Sequence, residues 1–173
     1  SNLSLGKSGA GSIDPENQPK LINYINEGLL RLHSKFILKE NSVLVLQIAH
    51  ITKYHFKERF AESSGSDEDF HYIKDLMGNP FKEDFIKALH ISDDRGRNRP
   101  INDVGNPLSI FTPTQEMIQV PNPEDNHLLS VNYQACHAPL YFEGSDLDKQ
   151  KIEIPFALEG ALTNYVAYKV YSH

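Results

Sequence analysis

Apolar residues recur at helical spacing at both ends of the chain and at strand spacing in between. Over residues 14–36, Leu21, Ile22, Ile25, Leu29, Leu32 and Phe36 fall within about a third of a helical circumference. Asp14-Pro15-Glu16 reads as the start of that helix, with Asp14 as cap, Pro15 in the first helical position and Glu16 on the positive end of the dipole. Asn23, Glu27 and Ser34 lie opposite the stripe, and Leu30 lies among them, either as a lone exposed leucine or as a subunit contact. Gly28 inside a helix costs about 1 kcal/mol relative to Ala, so a close approach by a neighbouring element is expected there. A second helix is expected from Pro155 to the end of the chain, with Leu158, Ala161, Leu162, Tyr165 and Val166 on one broad face. Its only charges before Tyr171 are Glu159 and Lys169, so the pattern predicts a helix covered over much of its circumference.

The middle of the chain follows a period of two. Residues 43–48 form a short apolar run, and Thr52, Tyr54 and Phe56 alternate with Lys53 and His55. Residues 85–91 read as a strand running into the turn Asp93-Asp94-Arg95-Gly96-Arg97. Asn106-Pro107 and Thr112-Pro113 read as punctuation, residues 116–120 as a strand, and Pro121-Asn-Pro-Glu-Asp-Asn126 as a turn. Val131, Tyr133 and Ala135 against Ser130, Asn132 and Gln134 give the clearest strand, and residues 117–135 are expected to form a hairpin. The acidic stretch 61–69 is a solvated connector or a binding tip. The expected class is α+β: a helical bundle formed by the N- and C-terminal helices (residues 14–37 and 150–173), a β-rich antiparallel insert (38–149) and a flexible Gly/Ser-rich N-terminal segment (1–13). Neither helix can bury its stripe alone, which suggests a piece of an assembly.

Length and charge narrow this picture. The 173 residues suit one domain, or one domain with a sizeable insert, and 39% apolar content supports a core. A net charge of −6 argues against a protein that wraps nucleic acid, though not against a surface that DNA passes without sticking. The single cysteine, Cys136, excludes an internal disulfide and an all-cysteine zinc site. No apolar run approaches the roughly 18–20 residues of a membrane span. The chain begins Ser1-Asn2 and stops at His173 within a helical pattern, as a truncated chain would.

Chemical signatures are weak. The 8 histidines are scattered, with no His-Glu-x-x-His, no His-x-His and no cysteine pair beside them. Cys136 and His137, if on a strand, point to opposite faces and cannot pair as nucleophile and base. There is no Gly-x-Ser-x-Gly elbow, Asp93-Asp94-Arg95-Gly96 has the wrong order for a calcium loop, and Gly6-Lys7-Ser8 lacks the earlier glycine of a phosphate loop. No catalytic, cofactor-binding or metal-binding residue, and no cofactor, is therefore expected. Arg95, Arg97 and Arg99 form a basic cluster in an acidic chain, either a solvated turn or a surface that docks on an acidic neighbour through bidentate contacts.

Three segments carry a resemblance. They are Pro19-Lys-Leu-Ile-Asn-Tyr-Ile-Asn-Glu-Gly-Leu-Leu-Arg-Leu-His33, continuing to Glu40 and the strand after it; Ile118-Gln-Val-Pro-Asn-Pro-Glu-Asp125 running into Leu129-Ser-Val-Asn-Tyr-Gln-Ala-Cys-His137; and Ile152-Glu-Ile-Pro-Phe-Ala-Leu-Glu-Gly-Ala-Leu-Thr-Asn-Tyr-Val-Ala-Tyr-Lys-Val-Tyr171. In that order they resemble the head-to-tail adaptor (connector) proteins of tailed bacteriophages, also called tail tubular protein A-like. The resemblance spans most of residues 14–173 and is thinnest over 57–84. It implies a non-enzymatic viral protein of the virion, assembled in the host cytoplasm: a helical bundle with a β-rich insert, arranged as a ring beneath the portal. Such rings are commonly dodecamers, and carry the tail tube or nozzle and sometimes tail fibres. DNA would pass the lumen without specific binding, and no membrane is involved. Subunit contacts are expected along both helices, with Leu30, Leu158, Tyr165 and Tyr168 as anchors, and loops 61–69 and 93–99 facing other rings or fibres. The alternatives are a monomeric β-rich module that recognises protein or carbohydrate, and a small hydrolase using His with Asp or Glu.

Overall fold

The computed structural model describes residues 17–141 and 150–172. The expected cap at Asp14-Pro15-Glu16, the segment 1–13, the loop expected at 143–146 and His173 lie outside those residues. The chain divides into two compact units, one drawn from residues up to Leu38 and from His137 onward, the other being Lys39–Cys136.

The first unit holds two helices, α1 (Gln18–His33) and α2 (Phe156–Tyr171). Pro19 occupies the first turn of α1, where its missing N–H leaves no bond unmade. Arg31 and His33 suit the negative end of the dipole. The helix closes with the Ser34 N–H donating to Leu30 O at 3.1 Å, and a tightened turn follows in which the Lys35 N–H donates to Leu32 O at 3.0 Å. Phe36 therefore lies beyond the helix rather than on its stripe. Ile22 and Leu29 are buried, and Leu21, Ile25 and Leu32 pack partly buried beside the seam formed by Leu29, Leu162 and Val166. Asn26 fixes the chain after the sheet unit by a two-way amide pair with Leu140, 2.9 Å in each direction.

The second unit is all strand and turn: β1 (Glu40–Leu46), β2 (Lys53–His55), β3 (Ile73–Lys74), β4 (Phe85–Asp93), β5 (Phe111–Thr114), β6 (Met117–Gln119) and β7 (Leu128–Ala135). They form two antiparallel sheets, ordered β3-β1-β7-β4 and β2-β6-β5. Val43 and Val45 of β1, and Leu129, Val131, Tyr133 and Ala135 of β7, turn inward at the strand period of two. They join Tyr54, Ile91 and Ile118 in one apolar cluster that both sheets share.

The expected helical bundle is overturned. The molecule is mostly β-sheet, with two helices that pack as a pair. Among the described residues the fully buried cluster of the sheet unit contains 17 side chains, against 3 in the helical seam. The period-two pattern, not the helical stripe, holds most of the buried apolar area.

The hairpin expected over 117–135 is also overturned, because β6 and β7 belong to different sheets. The connection between them is captured by Gln47. Its side-chain oxygen accepts the Glu124 N–H at 3.0 Å, its carbonyl accepts the Asn126 N–H at 2.9 Å, and its own N–H donates to His127 O at 2.8 Å. That handover carries the chain from one sheet to the other. The real hairpin is β5–β6, closed by Gln115-Glu116, with Thr114 opposite Met117. Pro113 had marked this stretch as a break. It sits instead in a strand at the end of its sheet, where a missing donor is tolerated. The stretch 61–69 is not simply a solvated connector: Glu58–Phe60 and Glu62–Ser64 are single 3-10 turns, and Ala61 between them is fully buried.

Candidate interaction surfaces

The seam between α1 and α2 is made at Gly28. A methyl group there would lie 2.6 Å from Leu162 Cδ1 and 3.0 Å from Tyr165 Cδ1, so glycine is what allows the approach. Beside it, Glu27 receives Arg31 at 3.1 Å and Lys169 at 3.2 Å. The Arg31 guanidinium lies 5.1 Å over the Tyr165 ring. The Glu27 carboxyl is held below its ordinary range, first by the Tyr165 hydroxyl and then by Lys169 and Arg31, against the opposing effect of burial. The Tyr165 hydroxyl is buried and faces Glu27 in a contact looser than a proper hydrogen bond.

This cluster turns Lys169 onto α1. At 100° per residue, the arc of α2 opposite Leu162 carries Phe156, Gly160, Asn164, Ala167 and Tyr171, with no charge. Phe156 is 87% exposed, Tyr171 83% and Tyr168 67%. Among the described residues, the cover expected over much of the circumference of α2 is not found: only Leu162 and Val166 are buried. The four expected helix anchors separate. Leu30 and Tyr168 stand in the open, Leu158 is half-buried, and Tyr165 is half-buried in the seam itself.

Arg95, Arg97 and Arg99 converge on Glu124, with guanidinium nitrogens 3.7, 3.7 and 3.8 Å from its carboxylate. Arg99 is only 2% exposed and donates its Nε–H to Leu108 O at 2.7 Å. Arg97 also donates to Asp93 Oδ2 at 2.7 Å. Asp93 is the keystone of this turn: its Oδ1 accepts the Arg95 N–H at 3.0 Å and the Arg97 N–H at 2.9 Å, and Gly96 takes the left-handed φ of 75°. Burial pushes the Asp93 carboxyl up, but these donors outweigh it and leave it below the ordinary carboxylate range. Next to it, the His127 ring holds Asp94 low through a 2.7 Å contact. The arginines thus meet acids of their own chain. Sequence spacing gave no sign of Glu124, which read only as part of a turn.

Histidine and cysteine follow a different logic. The His33 Nε2 and His137 Nδ1 atoms are 2.9 Å apart, and the His137 Nε2–H donates to Glu153 O at 2.8 Å. The His137 backbone N–H also donates to His33 Nε2 at 3.3 Å. The strand expected to hold Cys136 and His137 stops at Ala135, so the opposite-face argument does not apply to them. The Cys136 thiol is pushed above its ordinary value by burial and by the Asp84 carboxylate, which opposes thiolate formation. Among the described residues no group of three or more His, Cys, Asp or Glu side chains could hold a metal ion, and no helix is long and apolar enough to cross a membrane. Compared with protein-family models and with curated proteins, the chain matches none of them.

Proposed function

We propose that this protein is a head-to-tail adaptor of a tailed bacteriophage, a structural subunit whose copies form a ring, twelvefold like the portal it meets. The ring joins portal to tail tube or nozzle and keeps the DNA channel continuous, and the subunit acts by geometry rather than catalysis. One observation carries the reading: the outward arc of α2 is uncharged, and Phe156 and Tyr171 on it, with Tyr168 beside it, are largely exposed. Exposed apolar surface of this kind marks an interaction site. A ring supplies the cover by heterologous contacts that close through rotation, each subunit's α2 meeting a different surface of its neighbour. Leu30 of α1 is a further exposed apolar residue, whereas Leu158 is half-buried and lies one turn from Leu162, on the side of the seam.

The test is assembly. Mixed with portal protein, the chain is expected to enter a ring-shaped complex visible by electron microscopy, with α2 at subunit contacts. Analytical ultracentrifugation that finds only monomer, with and without portal, would sink the reading.

A further inference from the structure

A pocket of about 390 Å³ opens within the sheet unit, walled by Lys87 and Ala88 of β4, by Asn102, and by Thr112, Pro113 and Gln115 around β5. Each of the two strands is the end strand of its own sheet, so each presents one edge that belongs to no ladder along these residues. The irregularities of both ladders fall here. The pairing of β4 with β7 slips between Phe85 and Lys87 and again between Ala88 and His90, bracketing the two residues that line the pocket. The pairing of β5 with β6 slips between Phe111 and Thr114, at Thr112-Pro113. Bulges re-aim side chains and end regular pairing, and they collect beside binding sites.

The far wall is pinned from the side. Asn102 holds a left-handed φ of 57°. Its Oδ1 accepts the Thr112 N–H at 2.9 Å and its Nδ2 donates to Thr112 Oγ1 at 2.8 Å. An asparagine side chain thus satisfies a strand amide that a neighbouring strand would otherwise take. Lys87 is exposed and, among the described residues, has no ion-pair partner; no carboxylate lines the pocket. Bulges, a lysine and a proline also protect a sheet edge against pairing with a copy of itself. That role needs neither a concave pocket nor the Asn102 clamp.

We propose that this pocket docks an extended peptide segment of another protein, its main chain bonding to the open edge of β4 and one carboxylate side chain seated on Lys87. The chemistry favours a peptide. Open strand edges offer alternating donors and acceptors at about 3.3 Å per residue, which an extended main chain matches. No aromatic face lines the site, so a ligand that binds by stacking has no platform. The inference goes beyond the adaptor reading and stands without it.

The experiment uses the whole chain, labelled with nitrogen-15, and a library of capped hexapeptides with Asp fixed at the third position and all other positions varied. The expected result is saturable binding by a subset. Amide shifts should be confined to 86–90, 101–102 and 112–115, and the outer-edge amides of β4 should gain exchange protection. The same peptides N-methylated at alternate residues should lose binding, because their main chain can no longer donate. Lys87→Glu, on an exposed side chain, should weaken the Asp peptides roughly fivefold and favour Lys peptides instead. Binding that maps elsewhere, binding indifferent to N-methylation, no binder in the library, or shifts of the same amides by neutral sugars alone would each overturn the proposal.

Discussion

Adding one methyl group at position 28 would place it against Leu162 and Tyr165, whereas a methyl at position 160 would meet nothing within 4 Å. The two helix glycines should therefore respond in opposite senses. Gly160→Ala is expected to stabilise the helical unit by up to about 1 kcal/mol through helix propensity. Gly28→Val is expected to destabilise it by about 1–3 kcal/mol by overpacking the seam. Helix content followed through urea unfolding checks both. In the sheet unit, the Tyr133 hydroxyl donates to Asp84 Oδ1 at 2.7 Å, and its phenol is driven well above the ordinary tyrosine range by burial and by that carboxylate. Tyr133→Phe leaves a buried acceptor short of its donor and should cost about 1–3 kcal/mol. Gly28 was legible in the sequence because a costly residue inside a helix demands a neighbour. Asp84 and Glu124 were not, because their partners lie far away along the chain and nothing local marks them.

At the scale of elements, β7 announced itself because one of its faces is buried throughout, and a one-residue slip would turn every side chain outward. Leu129→Ala should accordingly cost about 2–5 kcal/mol. Leu44→Ala, on the opposite face of the neighbouring strand, should stay within about 0.5 kcal/mol; denaturant midpoints decide. Two elements misread for physical reasons. Pro113 hid β5, because its cost falls only on strands that must donate on both sides. The hairpin at 117–135 failed because two neighbouring period-two segments carry no record of which sheet each joins; Gln47 settles that through bonds no local pattern predicts. Outward-facing α2 misled in another way. Its low charge signalled a buried helix, but among the described residues only Leu162 and Val166 of α2 are buried.

Across the whole molecule, the depressed carboxylates set the response to acid. Asp75 and Glu83 join Asp93 below the ordinary range. For Asp75 burial pushes up, but Ser63 and the Phe81 N–H outweigh it; for Glu83 the Glu58 N–H and Lys57 lower the value. A carboxylate lowered by folding adds stability at pH values above its unfolded value, about 4, and loses it as pH falls through the lower folded value. Thermal melts are expected to be level near neutrality and to fall steeply below about pH 4. The triple substitution Phe156→Ser, Tyr168→Ser and Tyr171→Ser should leave the sheet unit's melt unchanged and abolish ring assembly with portal, as read by ultracentrifugation. The position of β7 has a consequence for biogenesis. It pairs with β1 on one side and β4 on the other, yet among the described residues it is the last strand of that sheet in chain order. During translation β1 can pair with β3, but β4 and the other edge of β1 must wait for their shared central partner, β1 for roughly 4–20 s at ordinary elongation rates. The open edges of β1 and β4 are exposed over that interval, so slowing the ribosome between β4 and β7 is expected to increase aggregation of nascent chains.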